Sequence, residues 1–288
     1  MQARKAYAKV NLALDILGTR PDGYHDMRMV MQTISLCDTV TAEECCDGFT
    51  LYMDGFVPPE GKKTLEQRSA EAFFARIGRG MPGLAVTVEK RTPAYAGLGG
   101  GSADVAALLR MLRDRYCPEM TLETLERIGL EVGSDMPFCI RGGTALAEGR
   151  GDVLTDLTPL PDCWFVLCKP DFGIPTPTLF ALVDGAEIKA RPDIDGMQAA
   201  LAAADLEGVA ARLNNVFEEV LPAEYHEVFA IKRHLLEKGA LNAAMSGSGP
   251  TVFGIFREEA EAAEAVKSLR ETYKETYLAR PVSRKEMV

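Results

Sequence analysis

The part of this chain best suited to hold a phosphate group is a glycine-rich segment that reads Pro93-Ala-Tyr-Ala-Gly97-Leu-Gly99-Gly100-Gly101-Ser102. Four glycines occupy its last five positions before Ser102, and a run of helix-forming residues from Ala103 to Arg115 follows directly. Glycine has no Cβ, so a ligand can approach the backbone closely. A helix N-terminus also directs unpaired N–H groups and a positive dipole end at whatever lies there. The segment therefore predicts a nucleoside triphosphate site.

Two better-known glycine patterns do not fit this segment. A Walker A loop requires Lys followed by Ser or Thr after its second glycine, and the segment contains no Lys. The dinucleotide fingerprint G-x-G-x-x-G fails because Ser102 stands where the third glycine is needed. A P-loop enzyme and a dinucleotide-dependent oxidoreductase are thereby disfavoured, and a plain glycine-rich surface turn stays open as the simplest alternative.

Four polar residues outside that segment could take part in chemistry. Lys9 and Asn11 fall on one face of a predicted strand, because side chains alternate along a strand. They form either a solvent-exposed strand edge or the polar wall of a cleft. Asp135, in Gly133-Ser-Asp135, lies after a predicted helix among turn residues, and His25 follows the turn Asp22-Gly-Tyr24. Considered alone, Asp135 is more typical of an aspartate in a turn, and His25 is more typical of a histidine on the protein surface.

Composition limits the class of protein. The chain has 288 residues, 47% hydrophobic and 26% charged residues, a formal net charge of −10 and a pI near 5.0. This balance is typical of a globular protein and argues against a general nucleic-acid or membrane-surface binder, which would carry a basic face. No apolar stretch reaches membrane-spanning length and no signal core stands at the N-terminus, so a cytoplasmic protein is expected.

The predicted elements form an α+β protein. Turn residues at Pro159-Leu-Pro161 predict a boundary between two domains, residues 1–158 and 159–288, each a sheet covered by helices. The predicted strands are Ala6–Leu17, Met27–Leu36, Thr39–Cys45, Phe49–Met53, 84–90, Trp164–Cys168 and Thr251–Phe256. The predicted helices are Thr64–Arg79, Ala103–Arg115, Thr121–Val132, Pro177–Val183, Gly196–Leu213, Tyr225–Lys238 and Glu258–Lys274.

Considered together, five motifs occur in the order and spacing of one family. They are A-x-A-Lys9-x-Asn11, the turn from Arg20 to His25, the glycine segment, Gly133-Ser-Asp135 and Ser246-Gly-Ser-Gly-Pro250. From about Tyr7 to Phe256 the chain resembles the GHMP kinase superfamily, named for galactokinase, homoserine, mevalonate and phosphomevalonate kinases. The resemblance implies an N-terminal domain with a left-handed β-α-β core, a C-terminal α/β sandwich domain and an active site between them.

The resemblance also implies roles for individual residues. Asp135 and Lys9 would flank the hydroxyl group that receives the phosphoryl group. ATP and Mg²⁺ would be the cofactors, with Ser102 as a candidate metal ligand. The residues implied to surround ATP are Pro93, Gly97, Leu98, Gly99, Gly100, Gly101, Ser102 and Ala103.

The Asp22-Gly-Tyr-His25 turn and the Gly-Gly-Gly-Ser sequence resemble family members that phosphorylate the 2-hydroxyl of a cytidine diphospho-methylerythritol, in the non-mevalonate route to isoprenoid precursors. Phe180 and Tyr24 would sandwich the cytosine while His25 reads its edge. The residues implied to bind this substrate are Asn11, Tyr24, His25, Thr176, Phe180, Gly247 and Gly249. The expected partners are small molecules, without nucleic acid or membrane, and the protein is expected to be a monomer or a weak homodimer.

Two alternatives stay open at this point. One is another GHMP kinase that acts on mevalonate or homoserine. The substrate of such a kinase contains no cytosine, so Tyr24, His25 and Phe180 would have no base to contact. The other is a non-catalytic member that senses a ligand, which would be expected to lose Lys9 or Asp135.

Overall fold

The computed structural model describes residues 3–46, 48–55 and 61–287. Contacts between Cα atoms divide the chain into two units. The first unit comprises Met1–Ala8, Cys37–Thr92 and Gly99–Arg141. The second unit comprises Lys9–Leu36, Pro93–Leu98 and Gly142–Val288. The predicted boundary between residues 158 and 159 stays a prediction.

Two long strands contribute residues to both units. They are β1 (Arg4–Thr19) and β2 (His25–Cys45). The strands predicted at Met27–Leu36 and Thr39–Cys45 are therefore wrong as separate elements. The residues between them continue the same alternating burial, so nothing in the local packing ends the strand there.

The first unit is a sheet covered by helices. Its further elements are β3 (Phe49–Met53), α1 (Leu65–Arg76), β4 (Gly83–Glu89), α2 (Gly100–Tyr116), α3 (Leu122–Leu130) and α4 (Met136–Arg141). Strands β3 and β4 are parallel and joined through α1, which makes a β-α-β unit, and β2 pairs antiparallel with β4. Apolar residues from the helices and strands form one core, which includes Phe73, Phe74, Leu84, Val86 and Leu108.

Local signals explain where these helices begin. Thr64 and Thr121 each accept a hydrogen bond from a backbone N–H in the first turn of the following helix, as N-cap residues do. Helix α2 begins at Gly100, three residues earlier than predicted, because Gly99 adopts the left-handed conformation (φ 68°) and ends the loop there. Asp135 directly precedes α4, a short helix that the sequence pattern did not predict.

The second unit contains two sheets. In one the strand order is β6-β5-β2-β1-β8, and in the other it is β11-β7-β10-β9. The second sheet is antiparallel throughout, and helices α8 and α9 pack against it. The elements are β5 (Thr144–Gly149), β6 (Val153–Asp156), β7 (Trp164–Lys169), α5 (Thr176–Asp184), α6 (Ile194–Ala202), α7 (Leu206–Ala211), β8 (Asn214–Asn215), α8 (Glu227–Glu237), β9 (Asn242–Met245), β10 (Val252–Phe256), α9 (Glu259–Arg270) and β11 (Glu275–Ala279). Short 3₁₀ helices lie at Val216–Val220, Ala223–Tyr225 and Arg284–Met287.

One predicted helix of the second unit is wrong in its extent. The segment predicted as a single helix over Gly196–Leu213 forms α6 and α7 instead. Ala204 has a positive φ of 52°, which interrupts the helix. Asp205 then caps α7 by accepting a hydrogen bond from the backbone N–H of Gly208 at 2.9 Å. The α+β class itself is confirmed.

Across the described ranges, none of the helices is both long enough and apolar enough to cross a membrane.

Candidate functional site

Lys9 is a buried lysine of the second unit. Only 4% of its surface is exposed, and its Nζ donates a 2.7 Å hydrogen bond to Asn11 Oδ1 on the same face of β1. Asn11 in turn donates through Nδ2 to Met29 Sδ at 3.3 Å. A lysine is rarely buried unless its charge is compensated, so Lys9 is not an ordinary solvent-exposed edge residue. The structure brings this predicted pair together on one buried face of β1.

A tight hairpin between β9 and β10 lies against Lys9 and the start of the glycine segment. Ser246 donates through Oγ to the carbonyl oxygen of Gly97 at 2.9 Å. A Cβ at Gly97 would lie 2.0 Å from the carbonyl oxygen of Ser246, and Gly97 has a positive φ of 73°. Gly247, with φ 56°, would place a Cβ 3.3 Å from Lys9 Nζ. These two positions need glycine because two backbones and an ammonium group meet there.

Asn215 anchors the same hairpin. Its Nδ2 donates to the carbonyl oxygens of Met245 and Gly247, both at 2.8 Å. Gly249 has a φ of 69°, and a Cβ there would lie 2.3 Å from Met245 Sδ. The predicted substrate-side glycines therefore belong to a rigid turn whose shape is fixed by its own packing.

His25 and Phe180, both predicted to contact the substrate base, lie in contact with each other. The imidazole stacks on the phenyl ring with centroids 4.4 Å apart, and Phe217 meets Phe180 edge-on at 5.2 Å. His25 Nε2 also lies 2.9 Å from Asp184 Oδ1. Sequence reasoning missed Asp184, which lies one residue beyond the predicted helix Pro177–Val183 and is the last residue of α5.

Tyr24 and Thr176 have other neighbours. The guanidinium of Arg150 lies 3.8 Å from the centroid of the Tyr24 ring, a cation–π contact that leaves the ring half exposed. Thr176 Oγ1 and Ser248 Oγ are 2.7 Å apart, so a hydroxyl hydrogen bond joins the start of α5 to the hairpin. Ser248 belongs to the Ser246-Gly-Ser-Gly-Pro250 motif, whereas Arg150 carried no sequence signal of its own.

In the first unit, the remainder of the glycine segment forms the beginning of α2. Gly100, Gly101 and Ser102 are residues of the first helical turn, so the prediction of a loop through Ser102 is wrong in extent. Among the residues that the structure describes, no side chain caps this helix, and no acidic residue stands in its first turn. The first N–H groups of a helix have no partner within it, and no acidic residue of this turn competes for them. This end of α2 is suited to an anion.

Gly101 has the most open position in that turn. It is exposed, and the nearest atom to a Cβ built there is Leu65 Cδ1 at 4.0 Å. Ser102 is half-buried, and Ala103 donates its backbone N–H to the carbonyl of Gly99 at 2.9 Å. The glycine at 101 thus leaves room for a ligand rather than for neighbouring protein atoms.

A buried charge network that sequence reasoning missed supports the same turn. Lys90 Nζ donates to Asp38 Oδ2 at 2.5 Å and to Asp104 Oδ2 at 2.7 Å, and both carboxylates are fully buried. Asp38 also accepts the backbone N–H groups of Arg91 and Thr92 at 2.5 and 2.7 Å. Burial raises the pKa of the Asp104 carboxyl to about 7; the neighbouring Asp38 carboxylate raises this pKa further, and the Lys90 ammonium opposes the shift.

Asp135, the predicted base, is half-buried and directly precedes α4. Its carbonyl oxygen accepts the backbone N–H of Cys139 at 3.1 Å, which begins the first turn of that helix. The backbone at Asp135 is therefore fixed by the helix that follows.

The chain is similar to known proteins along nearly its whole length. The family pattern described as the GHMP kinases N terminal domain matches residues 64–143, and that described as GHMP kinases C terminal matches residues 197–275. The chain is 42% identical over 278 residues to 4-diphosphocytidyl-2-C-methyl-D-erythritol kinase of Moorella thermoacetica, covering 96% of this chain and 97% of the relative. The chain belongs to this family of GHMP kinases. The kinase of the same name from Clostridium tetani is 38% identical, over 96% of this chain and 99% of that one.

Solved structures agree with the assignment of this kinase family. A crystal structure of 4-(cytidine 5'-diphospho)-2C-methyl-D-erythritol kinase superposes with a TM-score of 0.81 at 29% identity, covering 97% of this chain and 99% of that one. The mevalonate kinase of L. major superposes with a TM-score of 0.74 at 16% identity, over 98% and 97% of the two chains, which shows a shared fold. The protein is accordingly a small-molecule kinase, and kinases of this family use ATP.

Proposed function

We propose that this protein transfers the γ-phosphoryl group of ATP to the 2-hydroxyl of 4-diphosphocytidyl-2-C-methyl-D-erythritol, in the methylerythritol phosphate route to isoprenoid precursors. The observation that carries this proposal is the 42% identity to a kinase of that name along nearly the whole of both chains. The buried Lys9–Asn11 pair, held beside a rigid glycine hairpin, supports a catalytic rather than a ligand-sensing member.

The ATP phosphates are proposed to lie at the N-terminus of α2. The uncapped first turn offers N–H groups and the positive end of the helix dipole, and Gly101 leaves open space in front of them. The proposed residues for this role are those of the resemblance, Pro93, Gly97, Leu98, Gly99, Gly100, Gly101, Ser102 and Ala103.

The donor set also fits Mg²⁺, the metal that accompanies ATP. Within the described residues, no cluster of three or more His, Cys, Asp or Glu side chains is arranged to hold a metal ion. Mg²⁺ in kinases is bound mainly by phosphate oxygens and water with one or two protein oxygens, so a dedicated protein cage is not required. Ser102 Oγ, half-buried in the first turn of α2, is the proposed protein ligand. When bound, the ion neutralises phosphate charge.

The chemistry asks the protein mainly for positioning and for charge stabilisation. Asp135 is proposed to accept the proton of the 2-hydroxyl as general base. Lys9 is proposed to stabilise the negative charge that develops on the attacking oxygen and on the transferred phosphoryl group. Because Asn11 fixes Lys9 Nζ at 2.7 Å, the ammonium is oriented before the substrate arrives.

The cytidine diphosphate part of the substrate is proposed to bind within the second unit. His25 reads the edge of the base, and Tyr24 and Phe180 supply aromatic faces. Thr176, Gly247 and Gly249 are proposed to contact the diphosphate, since the Thr176–Ser248 hydrogen bond joins α5 to the hairpin that carries both glycines.

The test is ADP release measured with three acceptors: the cytidine diphospho-substrate, R-mevalonate and homoserine. Only the cytidine substrate should support turnover, and NMR of the product should place the new phosphate on the 2-hydroxyl. A Lys9→Met variant should bind ATP with wild-type affinity but turn over at least about a hundredfold more slowly, as loss of a charge-stabilising group predicts. Turnover with mevalonate or homoserine would contradict the proposal, as would binding of the cytidine substrate without any ADP release.

A further inference from the structure

We propose that Asp184 makes this kinase select cytosine over uracil, because it fixes the orientation and the tautomer of His25. This inference rests on the proposed function, in which His25 reads the substrate base.

Helix α5 holds the imidazole of His25 at two points. Phe180 stacks on the ring face, with the two ring planes inclined by 25°. One helical turn later, Asp184 Oδ1 lies 2.9 Å from the ring atom Nε2. The stack fixes the plane of the ring, and the carboxylate fixes its rotation within that plane. The two contacts together leave one orientation for the ring.

The contact with Asp184 also decides which nitrogen carries the proton. An ionised carboxylate only accepts hydrogen bonds, so Nε2 must carry the hydrogen and donate it. Thr19 Oγ1 donates a hydrogen bond to the same carboxylate oxygen at 3.1 Å, so this oxygen acts as an acceptor toward Thr19 as well. The side chain of Asp184 is 42% exposed, whereas that of His25 is only 12% exposed.

The other ring nitrogen, Nδ1, is then a hydrogen-bond acceptor in the neutral imidazole. Along the described chain, no side chain or backbone group forms a hydrogen bond with Nδ1. An acceptor fixed at this position is complementary to the exocyclic amino group of cytosine, which is a donor. Uracil, like thymine, has an acceptor oxygen at the equivalent position, so it would oppose Nδ1. A site built around one hydrogen bond penalises an analogue that cannot make it.

The first test is base discrimination. We expect the ratio of kcat/KM for the cytidine substrate to that for its uridine counterpart to fall by about tenfold or more in Asp184→Ala, the loss expected for one buried polar contact. Asp184→Glu keeps a carboxylate acceptor and should retain most of the ratio. Asp195→Ala is the matched control, since it removes an exposed carboxylate of the same unit that pairs with Arg28 at 2.6 Å. An unchanged ratio in Asp184→Ala, with thermal unfolding unaltered, would overturn the proposal.

The second test does not depend on activity. The chain has three histidines, so ¹⁵N-histidine labelling gives a spectrum that single substitutions can assign. At pH 8, the wild-type His25 should be the Nε2–H tautomer with a hydrogen-bonded ring proton, and that proton signal should disappear in Asp184→Ala. A wild-type His25 protonated on Nδ1 would overturn the inference. If neither nucleotide-linked substrate were phosphorylated, the proposed function would fall, and the spectra would still decide whether Asp184 controls the tautomer.

Discussion

The imidazole of His25 and the phenyl ring of Phe180 form a stacked pair, with centroids 4.4 Å apart. One ring stands at the start of β2 and the other on α5, so the stack joins two elements of the second unit that are distant in sequence. Phe180 also meets Phe217 edge-on. Removing the phenyl ring should therefore affect base recognition twice, by loss of an aromatic face and by release of His25.

We expect Phe180→Ala to raise the KM for the cytidine substrate by roughly tenfold or more, taking aromatic stacking on a base as about 1–3 kcal/mol. The KM for ATP should stay near its wild-type value, because the nucleotide phosphates are assigned to the start of α2. Steady-state kinetics with each substrate varied in turn measures both constants. Phe229→Ala, which removes a partly exposed phenylalanine from α8 of the same unit, is the control. A rise in the KM for ATP alone would contradict this placement of the base.

The assignment of Asp135 as general base makes a second prediction. Asp135→Asn keeps the shape of the side chain and removes its ability to accept a proton. We expect kcat to fall by roughly 10²–10⁴-fold while both KM values change little. Asp54→Asn, at an exposed position of the same unit, should leave kcat unaltered. Near-normal turnover of Asp135→Asn would exclude this residue from proton transfer.

The elements with a strong local signal were predicted well from sequence. The strand at Phe49–Met53 has the predicted bounds, and the helices predicted from Thr64 and Thr121 begin one residue later, each capped by that threonine. Strands β5 and β9 were missed because their alanine-rich sequences have little β-propensity of their own. They are strands because they pair with β2 and β10, and such long-range pairing cannot be read from a local pattern.

In the candidate site, too, some features could be recognised in the sequence and others depend on tertiary contacts. The glycine motif was recognisable, but the reason for Gly97 was not, because it depends on the carbonyl of Ser246 in a distant hairpin. Likewise, His25 and Phe180 carried a family signal, whereas Asp184 acquires its contact with His25 only in the folded chain. Residue types thus indicated the chemistry, and the supporting contacts came from tertiary structure.

The open position of Gly101 gives a sharper test of ATP binding than its neighbour does. A Cβ at Gly100 would lie 3.0 Å from Thr92 Cγ2, so a substitution there would require the Thr92 side chain to shift. At Gly101 the nearest atom to a Cβ is 4.0 Å away, so the Cβ of a valine clashes with no protein atom and its side chain would extend into the space proposed for phosphate. Valine also has a higher helix propensity than glycine, so α2 should not be weakened.

We therefore expect Gly101→Val to lower ATP affinity at least about tenfold, with unfolding unchanged, as loss of close phosphate approach predicts. Calorimetric titration with a non-hydrolysable ATP analogue measures the affinity. Gly80→Val is the matched control, because it stands in the same unit with open space around its Cβ and no positive φ. Equal affinities for Gly101→Val and the wild type would mean that the first turn of α2 does not hold the phosphates.

The buried network of Lys90, Asp38 and Asp104 predicts a pH-dependent stability. Asp38 receives two backbone N–H groups as well as Lys90, whereas Asp104 Oδ1 has no hydrogen-bond partner among the described residues. Burial raises the pKa of Asp104 from 3.8 to about 7, so between these values the folded protein binds more protons than the unfolded chain. The stability that protonated Asp104 contributes is therefore complete below its unfolded pKa and is lost as pH rises through its folded pKa.

Asp104→Asn keeps the shape of the side chain and stays neutral at every pH, so it should avoid that loss. Relative to the wild type, its free energy of unfolding should improve by about 2–3 kcal/mol between pH 5 and pH 8, at 1.36 kcal/mol per pKa unit. Denaturant unfolding of both proteins across this range measures the difference, in which pH effects common to both cancel. Asp114→Asn, which removes a partly exposed carboxylate paired with Arg4, should show no such trend. A pH-independent difference between Asp104→Asn and the wild type would mean that Asp104 stays ionised in the folded protein and that Lys90 compensates both carboxylates fully.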